Sequence, residues 1–292
     1  MRAARVRVVG YLSVDVVQRD GIVSEQVPGG AAVYAALGAR HAGASVAVDA
    51  MVGADYPQPW LRELDALGID VSRVKCGDGA TRTTILQYDG DGRRTSPHHR
   101  QDHWWERTRA LAPGVADGLD QVDVLIACPM PANSLARLLY QATVAGVPVV
   151  ADTSEAFVLD DPQSLLACVG QLAIFAPSRE ETRLLLPLLE DDAAADWLAR
   201  KGPHILHKRG SQGATAVSAH GGTRRVVPAP PVTVIDPTGA GDATVGALAA
   251  RWAGGIEFLD AAAAALATGA LATSGLGPVA LGLDIRSLAL LR

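Results

Sequence analysis

From residue 122 onward, short apolar runs alternate with segments of helical spacing, and few architectures accept that rhythm. Strands are predicted at 122–127, 147–151, 172–175, 204–207, 214–218 and 232–235, with helices at 132–145, 162–168, 180–189 and 192–200. Upstream, a strand at 6–11, a helix at 31–41, a strand at 45–52 and a helix at 59–67 follow the same pattern. The pattern predicts an α/β fold with a doubly wound, mostly parallel sheet flanked by helices. Two β-rich segments, about 11–27 and 80–100, interrupt it, around an Asp20-Gly21 turn and an Asp89-Gly90-Asp91-Gly92 hairpin turn that leads into a short basic strand at 93–96. They are expected to pair into a small sheet that serves as a lid, with Val14, Val16 and Ile85 on its inner face and an edge open to a second subunit. With 292 residues and no linker, the whole of 1–292 reads as one domain with a lid.

The stretch Val234-Ile235-Asp236-Pro237-Thr238-Gly239-Ala240-Gly241-Asp242-Ala243 carries the most chemistry. Val234 and Ile235 read as the end of a buried strand, Asp236-Pro237 opens a turn, Thr238 can cap a helix, and Gly239 to Gly241 leave the backbone bare. A helix follows from Ala243. Its first amides sit at the positive end of the helix dipole and form an anion site. Asp242 lies inside that site, where a carboxylate can cap the helix or take a proton from a hydroxyl beside a phosphate.

This run resembles the C-terminal signature of the ribokinase-like, or PfkB, carbohydrate kinases, Asp-x-Thr-Gly-Ala-Gly-Asp after a strand. The resemblance implies that Gly239, Ala240 and Gly241 form an anion hole for the transferred phosphoryl group and that Asp242 is the catalytic base. Further matches follow in chain order. Asp15, at the end of Gly10-Tyr11-Leu12-Ser13-Val14-Asp15, matches the family's aspartate that holds substrate hydroxyls. Gly29-Gly30 matches the turn where backbone approaches the sugar, and Tyr34 stands where many members have asparagine, putting an aromatic wall in place of an amide.

Ser178 and Glu181 form a local capping box, and they also match the family's Asn-x-x-Glu magnesium motif with serine in place of asparagine. Mg²⁺ is therefore expected, held by Glu181 through water. The turn at 206–214 resembles the family's nucleotide-binding turn, so Lys208, Gly210, Gly213 and Thr238 are carried over as ATP-binding positions. Lys208 or Arg209 would screen phosphate charge, or belong to a solvated basic turn. The segment 271–277 lies where the family closes over adenine and often binds a monovalent cation, and K⁺ is expected as an optional ion with Asp236 as its ligand.

The formal net charge of −5 argues against a nucleic-acid partner. No apolar run reaches membrane length, and the segment before residue 6 lacks the h-region of a signal peptide, so a cytoplasmic protein is expected. Cys76, Cys128 and Cys168 lack zinc spacing, and His98, His99 and His103 read as a solvated loop rather than a metal site. The expected activity is ATP-dependent phosphorylation of a hydroxyl on a small polyhydroxylated substrate, a sugar or cyclitol. A nucleoside kinase and a sugar-binding member without turnover are the alternatives. Tyr34, Ser178 and the 236–238 run resemble the inositol-kinase-like branch more than ribokinase proper.

Overall fold

Residues 124–127 serve two cores at once. Val124 and Ile126 pack on one side of the central sheet, and Leu125 and Ala127 on the other. A strand buried on both faces is what a parallel sheet between two helical layers requires. The computed structural model describes residues 2–19, 22–89, 100–101, 103–114 and 117–283. Its strands and helices, in chain order, are β1 (Arg5–Val9), β2 (Ser13–Arg19), β3 (Ile22–Gly29), α1 (Ala31–His41), β4 (Ser45–Val52), α2 (Gln58–Ala66), β5 (Ile69–Asp70), β6 (Val74–Cys76), β7 (Thr83–Tyr88) and α3 (Trp104–Ala110). These are followed by β8 (Val124–Ala127), α4 (Ala132–Ala145), β9 (Val149–Ala151), α5 (Glu155–Asp160), α6 (Pro162–Val169), β10 (Ile174–Phe175), α7 (Arg179–Leu185), α8 (Asp191–Ala199), β11 (His204–Lys208), β12 (Ala214–Val217), β13 (Arg224–Val227), α9 (Ala240–Ala253) and α10 (Phe258–Ala272).

Among the described residues the main sheet runs β13-β12-β11-β10-β9-β8-β1-β4-β5, with β6 also on β4. It is parallel from β11 to β5, and β12 and β13 add an antiparallel edge. The chain leaves β1 for β4 on one side and returns to β8 on the other. The crevice at the carboxyl ends of β1 and β8 is therefore a topological switch point, where open α/β sheets bind ligands. Helices α1 and α9 cross on one face of the sheet at backbone contact. A Cβ on Gly246 would lie 2.0 Å from the Ala35 carbonyl oxygen, and one on Gly38 would lie 2.2 Å from that of Ala243.

The interrupting segments do pair. β2 and β3 form an antiparallel hairpin, and β7 lies parallel to β2, giving a separate three-stranded sheet. Asp15 stands opposite Val27 and Thr84, and Val17 opposite Leu86. Val17, Val27, Leu86 and Tyr88 make its own small core. The expected inner face is the wrong one. Val14, Val16 and Ile85 share one face by register, whereas strand parity turns Thr84, Leu86 and Tyr88 inward with Val17, so Ile85 is 44% exposed and Val14 is buried through the main core instead. The outer edge of β7 is occupied at Ile85, where the Gln101 side-chain amide accepts from the backbone N–H at 3.1 Å and donates to the carbonyl at 2.7 Å.

Two further expectations are corrected. Residues 232–235 are not a sheet strand: Val234 and Ile235 are 41% and 53% exposed, and the backbone N–H of Ile235 donates to Thr273 at the end of α10. The run is held outside the sheet by backbone bonds to Thr273, its apolar side chains exposed. The loop expected around His98, His99 and His103 ends at once in α3, opened by Trp104 and Trp105, because Trp104 packs with Tyr11 and Phe157 in the core. The turn at 20–21, residues 90–92 of the hairpin turn, the strand expected at 93–96, and His98 and His99 lie outside the described residues. No helix among the described residues is long and apolar enough to cross a membrane.

Candidate active site

The glycine turn is built by its neighbours. Asp236 is buried and accepts the Thr238 amide on Oδ1 at 2.9 Å and the Gly277 amide on Oδ2 at 2.8 Å. This staple sets the entry to α9. The Thr238 hydroxyl is then shared with the Tyr88 hydroxyl at 2.9 Å, so the small sheet is fastened to the turn. Gly239 takes a left-handed φ of 73° as the residue before α9, and a Cβ there would lie 2.1 Å from the Tyr34 ring. Only glycine satisfies both conditions.

Tyr34 is therefore not an open wall. Its ring is buried beneath Gly239, and its hydroxyl has no hydrogen-bond partner among the described residues. Burial, followed by the carboxylates of Asp236, Asp15 and Asp242, pushes its ionisation well above the ordinary tyrosine range. The Asp15 carboxylate lies within electrostatic reach of Tyr34. It accepts from the Ser13 hydroxyl at 2.7 Å and rests on Gly29 so closely that a Cβ would meet its Cγ at 2.1 Å. Gly30, at φ 90°, turns the chain into α1 beneath the Tyr11 carbonyl. The two sequence matches thus converge: Asp15, Gly29, Gly30 and Tyr34 meet Gly239, Ala240, Gly241 and Asp242 at one end of the sheet.

Lys208 closes the phosphate side. It ends β11, its Nζ ion-pairs with Asp152, and it lies 3.1 Å from where a Gly241 Cβ would sit. Burial alone would lower the Lys208 pKa, but Asp152, Glu181 and Asp242 raise it on balance. Lys208 is therefore a held ammonium beside the start of α9, and the solvated-turn alternative fails for it. It fails for Arg209 too, whose side chain is only 18% exposed and pairs with Asp192. Glu181 completes the capping box, accepting the Ser178 amide at 2.7 Å while the Ser178 hydroxyl accepts the Glu181 amide at 3.2 Å. Burial and then Asp152 push the Glu181 pKa up to about 8, against the pull of Lys208. Gly210 and Gly213 frame the turn from β11 to β12. Gly213 sits 2.0 Å from the Val227 carbonyl measured from a built Cβ, so its described role is to let β13 pass.

Three site residues escaped the sequence reading. Asp152 follows the predicted strand at 147–151 just as a ligand-facing carboxylate would, and that position was the available signal. Cys128 follows β8 and is buried close to Asp242, Asp152 and Lys208. Arg82 precedes β7 on the Asp15 face. No group of three or more His, Cys, Asp or Glu side chains suited to hold a metal directly occurs among the described residues. The acidic pair Asp152 and Glu181 beside Lys208 fits a cation that keeps most of its water, as Mg²⁺ on phosphates does.

With this geometry described, the chain can be compared with known proteins. It is 27% identical over 265 residues to a cytidine kinase of Thermococcus kodakarensis, an alignment spanning 85% of this chain and 88% of the relative. A Burkholderia thailandensis nucleoside kinase in complex with inosine superposes with a TM-score of 0.77 at 22% identity, covering 94% of this chain and 93% of that one. An E. coli protein classed as a ribokinase II, in complex with ATP and Mg²⁺, gives 0.76 at 23% identity, covering 97% and 96%. The family model for pfkB family carbohydrate kinases matches residues 5–284. The chain belongs to the pfkB family of carbohydrate kinases.

Proposed function

We propose that this kinase transfers the γ-phosphoryl group of ATP to a hydroxyl of a small polyhydroxylated substrate, a sugar or cyclitol, with Asp242 as base. The observation that carries the proposal is a pair of close contacts, Asp15 on Gly29 and the Tyr34 ring beneath Gly239, with the charges of Asp15 and Asp242 both reaching Tyr34 at the start of α9. Asp15 accepts hydrogen bonds from substrate hydroxyls, with Gly29 and Gly30 keeping the approach clear. Asp242 accepts the proton of the attacking hydroxyl as the new O–P bond forms and the bond to the departing ADP breaks. The amides of Gly239, Ala240 and Gly241, with the Lys208 ammonium, stabilise the charge on the transferred group. Glu181 and Asp152 are assigned to the waters of Mg²⁺, whose bound charge would neutralise the phosphates. Thr238 acts through its bond to Tyr88 and so serves nucleotide binding by shaping the turn. A K⁺ ion at Asp236 would join a carboxylate that two amides already hold.

The three-stranded sheet is assigned as a lid that excludes water, a competing phosphoryl acceptor. A homodimer through this sheet would use the β3 edge, since Gln101 occupies the β7 edge at Ile85. A nucleoside is the second reading of the substrate, favoured by the cytidine kinase relative. The test of the chemistry is Asp242→Asn, which keeps shape and removes basicity. ADP release should fall on the order of 10²–10⁴-fold with unchanged thermal unfolding, and activity within about threefold of the parent would remove Asp242 from the mechanism.

A further inference from the structure

Arg82 is a buried guanidinium without an ion-pair partner among the described residues. Its carbonyl accepts from Val14 at 2.9 Å, which extends the parallel ladder in which Asp15 faces Thr84. Strand parity then puts Arg82 on the face shared by Thr84, Leu86, Tyr88 and Asp15. Tyr88 reaches the glycine turn at one end of that face, and Arg82 lies at the other. The backbone around Arg82 is clamped. Thr81 donates to Asp55 at 2.7 Å and takes the Gly53 amide on its hydroxyl at 3.0 Å, and Arg107 donates to the Thr81 carbonyl at 3.2 Å and the Thr83 hydroxyl at 2.8 Å.

The guanidinium lies 4.3 Å from the Tyr11 ring centroid and 5.1 Å from that of Trp104. The residue is 8% exposed, its Nε has no hydrogen-bond partner, and it forms no ion pair among the described residues. Arg7, equally buried, is paired to Asp49 at 2.8 Å. A buried charge left in this state is costly unless a ligand completes it. Asp15 and Tyr11 favour its charged form, and burial opposes it.

We propose that Arg82 receives a planar hydrogen-bond acceptor edge on the phosphoryl acceptor, at the end remote from the attacked hydroxyl. The fork of a guanidinium matches two coplanar acceptor atoms, and the flanking rings suit a flat group. A carboxylate of a sugar acid and the O2–N3 edge of cytidine both present that edge, whereas a neutral sugar or cyclitol does not. Asp15 takes donors and Arg82 takes acceptors, so together they read the two ends of one molecule. This inference rests on the phosphoryl-transfer reading above and narrows its substrate, from a neutral sugar or cyclitol to a sugar acid or a cytidine-like nucleoside.

The test compares wild type and Arg82→Met with cytidine, D-gluconate, D-ribose and myo-inositol in an ADP-release assay. Wild type should favour cytidine or D-gluconate over the other two, and which of them wins identifies the source of the edge. Arg82→Met should raise KM for that acceptor on the order of 10–100-fold, with kcat and the KM for ATP nearly unchanged and no effect on D-ribose. Unfolding without acceptor should occur at the wild-type temperature or above it, since an uncompensated charge is removed. Equal use of D-ribose or myo-inositol by wild type overturns the inference, even where the variant does not fold. So does an unchanged KM in a folded variant. If nothing is phosphorylated, calorimetric titration of cytidine and D-gluconate decides separately. Arg82-dependent binding supports the inference and counts against the kinase reading, and its absence overturns the inference.

Discussion

Replacing Tyr88 with Phe removes one hydroxyl from the Tyr88–Thr238 hydrogen bond, which joins the small sheet to the glycine turn. Tyr88 and Thr238 are both buried, so the Thr238 hydroxyl is left without that partner where water does not reach it freely. Stranding a buried hydroxyl costs about 1–3 kcal/mol. If the cost falls on the closed, reacting state, kcat/KM for the acceptor drops by roughly 5–150-fold. Thr238→Val, which keeps the shape and loses the hydroxyl, removes the same bond from the other side and should cost a similar amount. The double variant removes both partners and should recover part of the loss, giving a coupling of about 0.5–1.5 kcal/mol. The assay is kcat/KM by ADP release for all four proteins, alongside hydrogen exchange over β7 with and without acceptor and nucleotide. Effects that add to within about 0.3–0.5 kcal/mol mean that the two hydroxyls do not act together, which refutes the fastened-lid argument.

His207 lies on β11 beside Lys208, fully buried with neither ring nitrogen hydrogen-bonded among the described residues. Burial, then Arg209, pulls its pKa down to about 4 from 6.5. The folded protein thus resists a proton that the unfolded chain accepts, so this contribution is present above pH 6.5 and is lost as pH falls toward 4, at about 1.4 kcal/mol per pH unit. Urea unfolding of wild type and His207→Leu between pH 7 and 4.5 should show the wild type losing stability faster, and parallel curves would refute it. Gly246→Ala would drive a methyl to 2.0 Å from the Ala35 carbonyl and should destabilise the fold by about 3 kcal/mol or more, read as a fall in the unfolding midpoint.

Much of this was legible in the chain because periodicity and turn chemistry are local. The helices at Ala31–His41 and Ala132–Ala145 fall where the pattern predicted them. The glycine turns at 29–30 and 239–241 occupy the crevice the sheet topology requires. What failed depended on partners distant in sequence. The backbone at 235–236 bonded to the end of α10 rather than to a strand, and the parity of Ile85 followed from its neighbour Leu86 packing inward on Val17. Glu181 reads as a capping residue from its neighbours alone, and it is one. Only the approach of β9 and β11 adds Asp152 and Lys208 and turns the same carboxyl into part of a charge cluster. Arg82 carried no signal, because a lone arginine before a strand is ordinarily solvated.

The crossing of α1 over α9 has a consequence for how this scaffold can diversify. Two helices whose backbones touch at Gly38 and Gly246 cannot slide or spread, so the frame carrying Gly30 at one tip and Gly239 at the other is of fixed gauge. A bulkier or differently shaped acceptor cannot be admitted by widening that frame. Adaptation is channelled into positions that border the gap without bridging it, above all Arg82 and the inward row of β7. A library aimed at new acceptors should vary those positions and leave the two helices untouched.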